Sequence, residues 1–123
     1  MNWKELYTQK LTTAEKAIKA IRNNDRVIFA HAADVPQEIT KALVAHKDDF
    51  HNVEIYHMLC LGDGAYTQPE MLSHFRHNTN CVGGNTRQAV NEDRADFIPC
   101  FFHELTHFFS NGNLTVDVAI VQL

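Results

Sequence analysis

Strand-like and helix-like segments alternate along this chain, and its last run, residues 116–123 (VDVAIVQL), carries apolar side chains of both parities. A strand that is apolar on both faces expects cover on both, which a parallel sheet flanked by crossover helices supplies. The pattern begins with Thr12 placed three residues before Glu15, a capping-box spacing. Ala14, Ala17, Ile18 and Ile21 then follow at helical intervals, predicting a helix over 13–23. Residues 27–30 (VIFA) read as a buried strand. Asp34 and Pro36 open a second helix with Ile39, Ala42 and Leu43 on its inner face. Further strands are predicted at 53–61, 75–82 and 95–100, and helices at 86–92, capped by Thr86, and at 101–112, closed by Gly112. The fold class that follows is α/β, a mainly parallel sheet flanked by helices. A last strand of this kind would normally be followed by another crossover helix, so the chain reads as partial, ending on a central strand.

The 123 residues, 45% of them hydrophobic, suit one domain spanning 1–123. A formal charge of −4 with eleven scattered Lys and Arg offers no footprint for nucleic acid or an anionic membrane. With no apolar run near the ~20 residues that cross a bilayer and no secretory pattern at the N-terminus, the expectation is a soluble, cytoplasmic protein. Cys60, Cys81 and Cys100 are odd in number and widely spaced, which predicts small buried hydrophobes, not disulfides or a thiolate metal site.

In open parallel sheets, ligands bind beyond the carboxyl ends of the strands. Three segments are expected there: 31–37, 62–66, and 75–78 leading to 83–87. His31, just after a strand, is either a structural hydrogen-bonder or a supporting group for catalysis. Gly62 and Gly64 are too few for a dinucleotide fingerprint and suit a tight turn beside Tyr66. Arg76 could clamp a carboxylate in a bidentate fork, or simply be ion-paired.

His103-Glu104-Leu105-Thr106-His107 spells the HExxH pattern of zinc metalloproteases. On a helical wheel Phe101, Phe102, Leu105, Phe108 and Phe109 form an apolar stripe, and His103 and His107 fall opposite it. Catalytic zinc needs a third protein ligand, and among the sixteen residues after His107 the sole candidate is Asp117, in a strand that reads as buried. The motif is therefore read as a solvated His/Glu face and no metal is expected, with a metalloprotease kept as a remote alternative.

The segments DRVIFAHAADVPQ, NVEIYHML, GDGAYTQPEMLSHFRHN, VGGNTRQAV, RADFIPCFFHEL and VDVAIV, in that order across about residues 13–121, resemble the N-terminal domain of the acetyl-CoA hydrolase/transferase family, and most its 4-hydroxybutyrate CoA-transferase branch. Relatives usually carry Gly at the positions of Ala30 and Asp34 and Ile-Pro where Leu105-Thr106 stand, the change that creates HExxH here. The resemblance implies an open, Rossmann-like half of a CoA-transferase that moves CoA between an acyl-CoA, such as acetyl-CoA, and a short-chain carboxylate such as 4-hydroxybutyrate or acetate. It implies a glutamyl-CoA intermediate whose Glu belongs to the C-terminal half, so the fragment alone would be inactive. Coenzyme A thioester is then a substrate and no bound cofactor is expected. His31 would orient that glutamate or polarise the carbonyl, and Gln37, Arg76 and Asn78 would hold carboxylate oxygens. Gly62, Gly64 and Tyr66 would complete the wall. The partners implied are the two substrates and the C-terminal half, with a homodimer possible. A non-catalytic acyl- or CoA-binding domain of the same fold is the alternative from another class.

Overall fold

The computed structural model describes residues 2–122. Helix α1 (Trp3–Lys10), capped by the Asn2 side chain, precedes α2 (Ala14–Ala17), which tightens into a 3₁₀ turn over Ile18–Ala20. Thr13, not Thr12, occupies the position before α2, without a side-chain capping bond, and the helical segment ends three residues short of the expected 23 because Ile21 turns to extended backbone. Next come β1 (Arg26–Phe29), α3 (Gln37–Ala45), β2 (Val53–Leu59), β3 (Phe75–Cys81), α4 (Arg87–Asn91), β4 (Ala95–Phe97), α5 (Leu105–Ser110) and β5 (Val118–Ile120). The end of the last predicted strand, Leu123, lies outside the described residues.

The five strands form one sheet in the order β4-β3-β2-β1-β5, with every pair parallel. The chain winds outward from β1 through β2 and β3 to β4, then returns so that β5 pairs with the far side of β1. That reversal puts the switch point between β1 and β5. β5 forms an edge of the sheet, with Ala119 exposed and its neighbours partly buried, so the apolar run is left open on one side.

One face of the sheet carries the core. Val27, Phe29, Val53, Ile55 and Phe75 point toward α2 and α3, where Ile18, Ala42 and Leu43 meet them. At about 1.5–3 kcal/mol for each fully buried large aliphatic or aromatic side chain, this layer holds the sheet and helices together. The opposite face is polar, contrary to the expectation of two apolar faces. Arg26 forks onto Glu54 (Nε–Oε1 2.8 Å, Nη2–Oε2 2.9 Å), and Asn78 Nδ2 donates to the same carboxylate at 3.0 Å. Helix α5 covers this face at Tyr56, whose ring meets Phe109 edge-on at 5.7 Å.

The aromatic stripe does not form as the wheel predicts. Residues 102–104 make a 3₁₀ turn before α5 begins, which changes the angular spacing, and Phe101 and Phe102 stay 72% and 77% exposed. Of the three free cysteines, Cys60 is buried as expected, whereas Cys81, the last residue of β3, is exposed, and Cys100 is half-buried because β4 stops at Phe97, short of the expected 100.

Candidate functional site

The switch point is open at its carboxyl end. A cavity of about 340 Å³ there is lined by Ile28, Phe29, Ala30, His31, Asp34 and Gln122. A second, of about 270 Å³, lies between the start of α3 and the loop after β2, with Gln37, Thr40, Lys41, Gly62 and Asp63 around it. The 31–37 segment contributes to both, His31 and Asp34 to the first cavity, which forms the mouth of the switch point, and Val35 and Gln37 to the second beside it.

Local physics places each group. Beyond β1 the Ala30 N–H still donates to the Ile120 carbonyl at 2.9 Å and the Ala32 N–H to the Leu59 carbonyl at 2.8 Å, while Ala32 takes a positive φ of 53° where the strand gives way to the loop. His31 therefore folds back toward β2, and its Nδ1 accepts the Met58 N–H at 3.3 Å. A neutral ring that accepts at Nδ1 carries its proton on Nε2, which leaves an exposed N–H donor at the mouth. Gln37 is the first residue of α3, exposed, with Pro36 as the cap before it. Gly62 is needed for close approach, since a Cβ there would stand 3.0 Å from Val35 Cγ1. Gly64 has φ +64°, a left-handed turn that a side chain would strain. Asn85 ties the third loop to the second, its Nδ2 donating to the Gly62 carbonyl.

Three expected site residues are not at this mouth. Tyr66 is 1% exposed in the core, its hydroxyl 2.9 Å from His57 Nε2 and its ring stacked on the His57 ring. Burial, with the Cys60 thiol beside it, pushes the Tyr66 hydroxyl well above its ordinary range, so it stays protonated. Arg76 sits near the amino end of β3, where Asp96 receives its fork at 2.8 and 2.6 Å and the Asp93 carbonyl accepts a third bond at 2.8 Å. Asn78 is mid-strand and buried against Glu54. The segment 75–78 is the first half of a parallel strand, and only its last residues, ending at Cys81, and those after them reach the carboxyl edge.

Thr86 precedes α4 without its side chain capping the helix. In the HExxH segment, Glu104 accepts the Phe101 N–H at 2.7 Å, closing its own turn, and His103 stacks on Phe101. His103 and His107 are both exposed, and among the described residues no three His, Cys, Asp or Glu side chains are grouped to hold a metal ion.

Beneath the mouth lies a buried polar group that the sequence reading missed. The His57, His77 and Tyr66 rings pack with centroids 5.5–5.9 Å apart, and Phe29 meets His57 edge-on at 5.1 Å. His77 Nδ1 donates to the Ile55 carbonyl at 3.2 Å, while His77 Nε2 and His57 Nδ1 lack partners among the described residues. Burial lowers the His57 imidazole to about 3, helped by its neighbour His77, and lowers His77 to about 4. The signal for this cluster was the equal parity of His57 and Ile55 and of His77 and Phe75, which puts both imidazoles on the core face.

The sequence profile of the acetyl-CoA hydrolase/transferase N-terminal domain matches residues 1–123. The chain belongs to this family. It is 50% identical over its whole length to the 4-hydroxybutyrate coenzyme A transferase of Clostridium kluyveri, of which it spans 29%. It is 27% identical to the butyryl-CoA:acetate CoA-transferase of Anaerostipes caccae, spanning 28%. Among solved structures, 98% of this family member superimposes on 26% of a 4-hydroxybutyrate CoA-transferase from Porphyromonas gingivalis, at TM-score 0.75 and 30% identity. RipA from Yersinia pestis, at 19% identity, shares the fold with TM-score 0.84 over 98% of this chain and 30% of its own. The acetyl-CoA hydrolase/transferase domain described here is thus under a third of the length of these relatives.

Proposed function

We propose that this domain forms one wall of a cleft in which coenzyme A passes between an acyl-CoA, such as acetyl-CoA, and a short-chain carboxylate such as acetate or 4-hydroxybutyrate. The observation that carries the reading is the family match over the whole chain, with 50% identity to a named 4-hydroxybutyrate CoA-transferase. His31 at the switch-point mouth gives it a chemical focus.

The chemistry is nucleophilic catalysis by a carboxylate. A glutamate outside this chain attacks the thioester carbonyl, forming an acyl anhydride as the carbon–sulfur bond breaks and CoA leaves as thiolate. The thiolate then attacks the glutamyl carbonyl, giving a glutamyl-CoA thioester and releasing the first carboxylate. The second carboxylate reverses these steps and leaves with CoA. Each addition places negative charge on a carbonyl oxygen, and a fixed N–H aimed at that oxygen lowers the barrier. His31 serves there, because the Met58 N–H occupies its Nδ1 and leaves Nε2–H to donate. Gln37 and the Gly62 loop line the neighbouring cavity and orient the carboxylate.

The test uses the complete gene product, assayed for CoA exchange between acetyl-CoA and 4-hydroxybutyrate or butyrate. Borohydride reduction of the glutamyl thioester after incubation with acyl-CoA, followed by peptide mass analysis, detects the intermediate. His31→Ala is expected to lower turnover roughly 10- to 1,000-fold without changing thermal stability. A fully active His31→Ala variant refutes the role of His31, and no exchange in the unsubstituted protein refutes the function.

A further inference from the structure

Helix α1 buries none of its residues, and the chain is exposed throughout residues 2–13, whereas the 3₁₀ turn after α2 already buries Ile18. Its side chains are nonetheless sorted. At about 100° per residue, Trp3, Leu6, Tyr7 and Leu11 share one side of the helix, and Glu5, Thr8 and Gln9 fall on the other. Leu11 closes the stripe, since its N–H still donates to the Tyr7 carbonyl at 2.9 Å. The four apolar residues are 69%, 37%, 62% and 65% exposed. A helix shorter than about 12–15 residues is marginal on its own in water, so the eight residues of α1 need a contact that the described residues do not provide.

The helix nevertheless belongs to the fold. In the Porphyromonas gingivalis structure and in RipA, 98% of this chain is matched, and the remainder is shorter than α1. The matched part is only 26% and 30% of those two chains. A helix kept at 30% and 19% identity without support from its own domain points to a support in the part of such proteins that lies outside the match.

We infer that α1 is an interdomain strap, its Trp3–Leu6–Tyr7–Leu11 side seated in an apolar groove on the portion of the complete gene product that corresponds to the remainder of these relatives. The turn after α2 is anchored in the core through Ile18, with Ile21 beside it, so a seated α1 ties that portion to the sheet that carries His31. Covalent linkage favours this occupant over a second copy, because a groove tethered through a flexible linker faces α1 at an effective concentration of about millimolar. The inference rests on family membership and the geometry of α1, and stands apart from the CoA-transfer reading.

The experiment is hydrogen exchange and photo-cross-linking on the complete gene product. The amides of residues 6–11, bonded within the helix, are expected to exchange at least about 100-fold slower than those of unstructured peptide. Exchange at the unstructured rate would overturn the docking. Lys4 and Lys10 lie on α1, and an amine-reactive diazirine linker placed on them inserts into whatever residue is beside the helix. Links from either lysine to residues beyond 123, recovered from the single-chain band of a denaturing gel, are expected. Links confined to the double-chain band would overturn this occupant in favour of a second copy, and links confined to residues 1–123 of the same copy would overturn it in favour of self-packing. Trp3→Ala with Tyr7→Ala removes half of the stripe at positions exposed in this domain, and is expected to speed α1 exchange at least about tenfold while β1 and β2 amides keep their rates. Unchanged α1 exchange in that variant would overturn the role of the stripe. The first two measurements need no variant, and none of the three reads CoA exchange, so this inference and the CoA-transfer reading fail separately.

Discussion

Acidification should destabilise this fold well before its carboxylates titrate. His57 and His77 are 0% and 1% exposed, and burial holds them at about 3 and about 4 against an ordinary 6.5. The sign follows from which state binds the proton. The unfolded chain takes up a proton on each ring near pH 6.5 and the folded chain refuses it, so their contribution is complete above pH 6.5 and is lost as pH falls toward 4. Between pH 7 and pH 5 each ring costs about 2 kcal/mol, at 1.36 kcal/mol per pH unit below 6.5. Two rings together then cost about 4 kcal/mol, a large part of the 5–15 kcal/mol that stabilises an ordinary domain. The assay is urea unfolding at pH 7 and pH 5 for the unsubstituted protein and for His57→Phe with His77→Leu. The double variant should lose about 4 kcal/mol of that pH dependence. Imidazole NMR signals of two histidines should also stay in the neutral form down to about pH 4. Equal pH slopes in both proteins, or eight histidines all titrating near 6.5, would show that the buried cluster does not exist as described.

Three other outcomes are expected. Arg76→Leu removes a partly exposed bidentate pair with Asp96 and should cost about 1 kcal/mol by urea unfolding while leaving CoA exchange unaltered; a selective loss of carboxylate affinity would return Arg76 to the site. Gly64→Val forces a branched side chain into φ +64° and should cost about 2 kcal/mol, read as a lowered Tm; no change would mean the loop relaxes to another turn. His103→Ala with His107→Ala should leave CoA exchange within twofold of the parent, and a metal-dependent loss would revive the HExxH reading.

Much of the architecture was legible because it is written in local pattern. Alternating strand and helix signals gave a parallel α/β sheet, Pro36 marked the start of α3, and Ala42 and Leu43 fell on its buried face as their spacing required. His31, Gln37 and Gly62 line the cavities at the carboxyl end of the sheet because they lie in the segments that leave β1 and β2. Arg76 and Asn78 lie in the first half of β3, away from that end, because being near a loop in sequence says nothing about which end of a parallel strand a residue occupies. Tyr66 looked like a loop aromatic, yet its hydroxyl found a partner in His57 nine residues earlier, and that pairing exists only once β2 and the turn after it are packed.

By itself, then, the sequence determined the element types, the parallel sheet and the family, since these depend on periodicity, capping and an ordered set of short motifs. Strand order and register were decided by the tertiary structure, because they arise from contacts between segments far apart in the chain. Those contacts set β5 against β1, opened the switch-point mouth at His31, and buried His57, His77 and Tyr66 together.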